Sequence, residues 1–100
     1  MTRSQLYLQA RPGERDELLH ELDRLEVFVA IRKQPGFLAV EILVPRDDPD
    51  RLVVAGSWSS PEHYERWRSS AARDELLGGL RPLLADEPKV SVYQVVDAID

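Results

Sequence analysis

One hundred residues, 43% apolar and 31% charged, can build one folded core and argue against disorder. The formal charge of −5, with Arg interleaved among Asp and Glu, argues against a nucleic-acid partner; the absence of Cys removes disulfides, thiolate nucleophiles and Cys-based metal sites. No apolar run reaches membrane length or reads as a leader, so the expectation is one domain over residues 1–100, cytoplasmic and without a membrane partner.

Gln5 to Gln9 alternates weakly and reads as a first strand, broken by Arg11-Pro12-Gly13. From Glu14 the period changes. Leu18, Leu22, Leu25 and Val29 fall on one helical face, which predicts a single helix from Glu14 to Arg32 or Lys33, ended by Pro35. After the Pro35-Gly36 turn, Phe37 to Val44 reads as a strand with Phe37, Ala39, Glu41 and Leu43 on one side and Leu38, Val40, Ile42 and Val44 on the other. Pro45 to Asp50 is a loop, and Arg51 to Trp58 is a third strand around Val53 and Val54.

Ser60 before Pro61 predicts a helix cap, with a Ser59–Glu62 capping box as the alternative. That helix passes Tyr64 and Trp67. Ser69-Ser70 breaks it, a second piece covers Ala71 to Leu77, and Gly78-Gly79 reads as its stop, with one more turn over Leu80 to Leu84. Lys89 to Val96 is the last strand.

The order β-α-β-β-α-β predicts an α+β, ferredoxin-like fold with a four-stranded antiparallel sheet. The second and fourth strands carry apolar residues on both alternate faces. A half-wet antiparallel strand should alternate cleanly, so the second face is expected to be covered by another copy of the chain, a homodimer.

Pro35-Gly36-Phe37, the run Gly56-Ser57-Trp58-Ser59-Ser60-Pro61-Glu62-His63-Tyr64, the Ser69-Ser70 step and Val92-Tyr93-Gln94-Val95-Val96 resemble the antibiotic biosynthesis monooxygenase family over about residues 4–97. The resemblance implies a dimeric α+β barrel with a small-molecule cavity between each sheet and its own helices. It implies oxygenation of a phenolic, anthrone- or quinol-type aromatic substrate by O2 with no cofactor and no metal. Trp58 and Tyr64 then stand at pocket positions of the oxygenases. The Asn four residues before the Trp in those enzymes is Val54 here, which removes a hydrogen-bond donor. Trp67 matches a Trp of the haem-degrading branch, but the axial His of that branch, ten residues later, is Leu77.

The catalytic candidates are therefore Trp58, Tyr64 and His63, the last as a base near neutral pH. Trp67, Phe37, Val54 and Arg68 are candidates for binding substrate, and Arg66 shares with Arg68 the role of a charge that favours a phenolate. Against these stand core packing for Trp58 and Tyr64, a cap-associated place for His63, and a surface place for His20. The two His lack ligand spacing, and Asp47, Asp48 and Asp50 read as a solvated turn, so no metal site is expected. A non-oxidative cyclase or isomerase on the same scaffold, which the Val54 departure favours, and a ligand-binding protein without turnover remain as alternatives. A large pocket lined by Trp58 and Tyr64 would favour an enzyme, and a filled one the binding protein.

Overall fold

A computed structural model of the chain describes residues 1–99, one fewer than the expected unit 1–100. Its strands are β1 (Thr2–Gln9), β2 (Phe37–Leu43), β3 (Arg51–Trp58) and β4 (Lys89–Gln94). Its helices are α1 (Arg15–Arg24), α2 (Val27–Arg32), α3 (Pro61–Arg68) and α4 (Ala71–Leu80), followed by a 3₁₀ turn over Arg81–Leu83. The strands form one antiparallel sheet in the order β2-β3-β1-β4, the ferredoxin-like arrangement. No helix among the described residues is long and apolar enough to cross a membrane.

The expected long first helix is two helices. Leu18 and Leu22 are buried at a spacing of four, but the next buried positions are Val27 and Ile31, one residue out of phase. Glu26, in the left-handed region at φ 54°, absorbs the extra residue. The break turns Val29, expected on the core stripe, outward, where it is 47% exposed.

The first strand starts earlier than its apolar residues suggest. Thr2 and Ser4 are polar, yet they pair with Trp58 and Gly56 on one side and with Gln94 and Val92 on the other. A central strand has both ladders satisfied whatever its side chains, so propensity is overridden. The last strand is shorter than expected. Its ladder closes at Gln94, one further bond runs from the Val95 N–H to the Met1 carbonyl at 2.9 Å, and Val96 is exposed.

Residues opposite each other in an antiparallel pair share a face. The helix-covered face therefore holds Ser4, Leu6 and Leu8 of β1, Leu52, Val54, Gly56 and Trp58 of β3, and Val90 and Val92 of β4. A bulge between Phe37 and Ala39 puts Phe37 on this face together with Val40 and Ile42, so simple alternation along β2 fails at its first residues. The open face is mixed: Tyr7, Val53, Ala55, Leu43 and Tyr93 lie among Arg3, Gln5, Glu41, Arg51 and Lys89. Of the second apolar set expected in the last strand, only Tyr93 falls on that face inside β4.

Ser60 caps α3, its Oγ accepting the His63 N–H, with Pro61 in the first turn; the Ser59–Glu62 box does not form. Ser70 caps α4 in the same way, from the Arg73 N–H. Gly78-Gly79 does not stop this helix, which runs to Leu80. Neither glycine has a positive φ, and Gly79 lets the helix approach Leu25, whose Cδ1 would lie 2.9 Å from an added Cβ. One core cluster gathers Leu8, Leu18, Leu22, Leu52, Val54 and Leu80; a second gathers Ile31, Trp58, Tyr64 and Trp67.

Candidate functional site

The second cluster is built by the end of β3 and the first turns of α3. Trp58 is fully buried, and its Nε1–H donates to the Ser4 Oγ at 3.3 Å, the polar contact that explains a buried Ser in the central strand. Its ring meets Phe37 edge-on at 5.9 Å and Tyr64 at 6.0 Å between centroids. Tyr64, one turn into α3, is 4% exposed, and its hydroxyl has no hydrogen-bond partner among the described residues. Burial pushes the Tyr64 phenol above its ordinary value, while the positive charges of Arg73 and Arg68 act in the opposite direction. The hydroxyl is therefore neutral at physiological pH, within electrostatic reach of two guanidinium groups.

Trp67, three residues on, belongs to this cluster and also lines a small apolar chamber between the sheet and the helices. Leu6, Val54, Ile31, Leu77 and Arg73 share that wall, and its volume is about 40 Å³. Next to it opens a wider mouth of about 250 Å³, which shares Leu6, Leu77 and Arg73 with the chamber. The mouth exists because the helices do not cover the edge strand. Val90 and Val92 lie on the helix-side face of β4 yet are 39% and 48% exposed. Arg68, Arg73, Arg81 and Lys89 stand around it with Asp74 and Glu87. Arg68 is paired with Glu65, and Arg81 with Glu87 at 2.5 Å.

The candidates from sequence thus separate. Val54 and Trp67 line the chamber and Arg68 lines the mouth. Trp58, Tyr64 and Phe37 pack behind Trp67 as one aromatic cluster and do not face the chamber directly. His63 is elsewhere. Its Nδ1 lies 3.0 Å from the Ser59 Oγ and 2.7 Å from the Ser60 Oγ, and its ring packs over Gly36, so it belongs to the helix cap. Arg66 is exposed and outside both spaces, and His20 lines a separate groove with Glu17, Glu21 and Arg24.

Arg73 escaped the sequence reading. A signal for it existed: the first turn of a helix favours acidic residues, and a cation at the third position of α4 sits against the dipole. Leu77 lines both spaces, so the position that carries an axial His in the haem-degrading branch does face the cleft. With Leu there and both His outside, the cleft residues offer no imidazole to a haem iron. Among the described residues no three His, Cys, Asp or Glu side chains form a metal-holding group either.

A family model described as antibiotic biosynthesis monooxygenase matches residues 1–78. A heme-degrading monooxygenase of Bacillus thuringiensis is 28% identical over 79 residues, covering 74% of this chain and 73% of its own. Among solved structures, SnoaB, a cofactor-independent oxygenase from Streptomyces nogalater, superposes with a TM-score of 0.78 at 18% identity, over 98% of this chain and 95% of that one. Rv0793 from Mycobacterium tuberculosis gives 0.79 at 19% identity, over 99% and 98%.

Proposed function

The chain belongs to the antibiotic biosynthesis monooxygenase family, and on that premise we propose that it is a cofactor-independent monooxygenase of a phenolic, anthrone- or quinol-type small molecule. The observation that carries the reading is the Tyr64 hydroxyl, buried beside Trp58 without a hydrogen-bond partner among the described residues. Such a group costs about 1–3 kcal/mol, a cost that functional sites tolerate when a ligand supplies the missing partner. In this reading the substrate ring enters from the mouth, displaces Leu77 and lies against Trp67. Tyr64 packs behind Trp67 and does not face the chamber, so widening of the chamber must bring its neutral hydroxyl to the substrate oxygen, while Arg68, exchanging Glu65 for the ligand, favours the phenolate. The anion passes one electron to O2 and the radical pair recombines at carbon. For an anthrone, one oxygen atom stays as the new carbonyl, and the other leaves as water with the two methylene hydrogens. The chamber of about 40 Å³ must widen for this, since ligand sites hold about 300 Å³ or more.

The reading includes a homodimer through the open sheet face, supported by Leu43 and Tyr93, which that face leaves exposed. It also includes a cytoplasmic setting, which suits a chain with no Cys.

Neither Trp58 nor Tyr64 lines the chamber or the mouth, and the chamber is narrow, the filled arrangement expected of a second reading, a ligand-binding protein without turnover. Oxygen uptake by metal-free protein with anthrones and hydroquinones, with quinone product assayed, separates the two. Uptake that falls in Tyr64→Phe and Trp58→Phe supports the oxygenase. Binding with no turnover supports the second reading. Turnover without uptake points to a cyclase or isomerase, for which Val54 in place of Asn would be the reason.

A further inference from the structure

We propose that the mouth of the cleft recognises a carboxylate on the aromatic ligand, and that Arg73 is the residue that receives it. The inference rests on the cleft being the ligand site. The chain carries a net charge of −5, yet the mouth gathers four cationic side chains against two lining carboxylates and Glu65, which pairs with Arg68, a local excess of one positive charge. A local excess opposite in sign to the whole molecule draws anions to that place.

Two of the four cations are committed. Glu65 holds Arg68 and Glu87 holds Arg81. Lys89 and Arg73 have no ion-pair partner among the described residues. Arg73 is half-buried, its side chain makes no hydrogen bond to a described residue, and it alone among the cations lines both the apolar chamber and the polar mouth. A partly desolvated guanidinium with its donors unused is suited to a planar, bidentate acceptor. Asp74 and Glu87 in the same mouth oppose a dianion, so a singly charged carboxylate fits better than a phosphate. A ring in the apolar chamber with its acid group at Arg73 satisfies both halves of the cleft, and Lys89 strengthens the field from the β4 side.

The test is calorimetric binding of 6-hydroxy-2-naphthoate and 2-naphthol, which share ring and phenol and differ by the carboxylate. The proteins are the native chain, Arg73→Gln, Arg73→Lys and, as a control outside the cleft, Arg66→Gln. The native chain should bind the naphthoate about tenfold to a hundredfold more tightly. Arg73→Gln should bring the ratio of the two affinities close to one, Arg73→Lys should restore part of the preference, and Arg66→Gln should keep it. Equal affinities, a preference that survives Arg73→Gln, or no binding of either compound overturns the proposal. Calorimetry without oxygen reads binding and not turnover, so a chain that binds the naphthoate through Arg73 but consumes no O2 with the anthrones and hydroquinones refutes the oxygenase and leaves this inference standing.

Discussion

Replacing Tyr64 by Phe should make the protein more stable while weakening its hold on a phenolic ligand. The hydroxyl is inaccessible and has no partner among the described residues, so the folded state bears its desolvation without return, about 1–3 kcal/mol. Phe keeps the ring and its edge-on contact with Trp58 at 6.0 Å. It loses the dispersion contacts of one oxygen atom, a few tenths of a kcal/mol. The net is a gain of about 1 kcal/mol, a rise in Tm of about 4–8 °C for a chain of this size. Urea denaturation of both proteins, followed by Trp fluorescence, reads the difference as a shift in midpoint at constant slope. A loss of stability of 1 kcal/mol or more would mean that the hydroxyl is satisfied in the folded protein. It would also remove the observation on which the oxygenase reading stands.

The same group has a pH signature. Its folded value is raised by burial, so below about pH 10, the unfolded Tyr value, its contribution is fully present, and stability falls as pH climbs through the folded value. The gain of Tyr64→Phe over native should therefore stay constant up to about pH 9.5 and widen as pH rises past about 10 in urea titrations; a gap that stays constant there would contradict the burial argument. Gly36→Ala should cost about 3 kcal/mol or more. Its φ is 77°, and the new Cβ would lie 2.6 Å from the Cβ of His63, which the two Ser hydroxyls hold in place. His63→Ala in that background should recover only part, since the Cβ remains, and a full recovery would show that the clash is with the ring alone. Gly78→Ala should stabilise by about 1 kcal/mol, because α4 gains helix propensity and the added methyl meets nothing within 4 Å. Thermal unfolding that leaves the Gly78→Ala midpoint unchanged would show that α4 is frayed at that position.

The order of elements, the turn at Pro35-Gly36 and the Ser60-Pro61 helix start were legible in sequence, because each depends on nearest neighbours: a ring that restricts φ, a hydroxyl within reach of an amide, a period of two or of 3.6. The pairing of Trp58 with Val54 and Gly56 on one face followed from alternation in the same way. What depended on distant partners did not. Whether Leu25 or Val27 continues the first helical stripe is decided by the sheet beneath it. Glu26 takes a left-handed conformation because burying Val27 and Ile31 outweighs the local strain. Gly78-Gly79 looked like a stop, and became helix because α4 packs beside Leu25.

The site divides along the same line. The aromatic residues Trp58, Tyr64 and Trp67 announced themselves by type and spacing, and so did the missing donor at Val54. That Tyr64 keeps an unpaired hydroxyl, that His63 is occupied by its own helix cap, and that Arg73 spans chamber and mouth are matters of tertiary structure alone. A hydrogen bond unmade or a charge unpaired is a relation between elements far apart in the chain, which the local periodicity of a sequence does not encode.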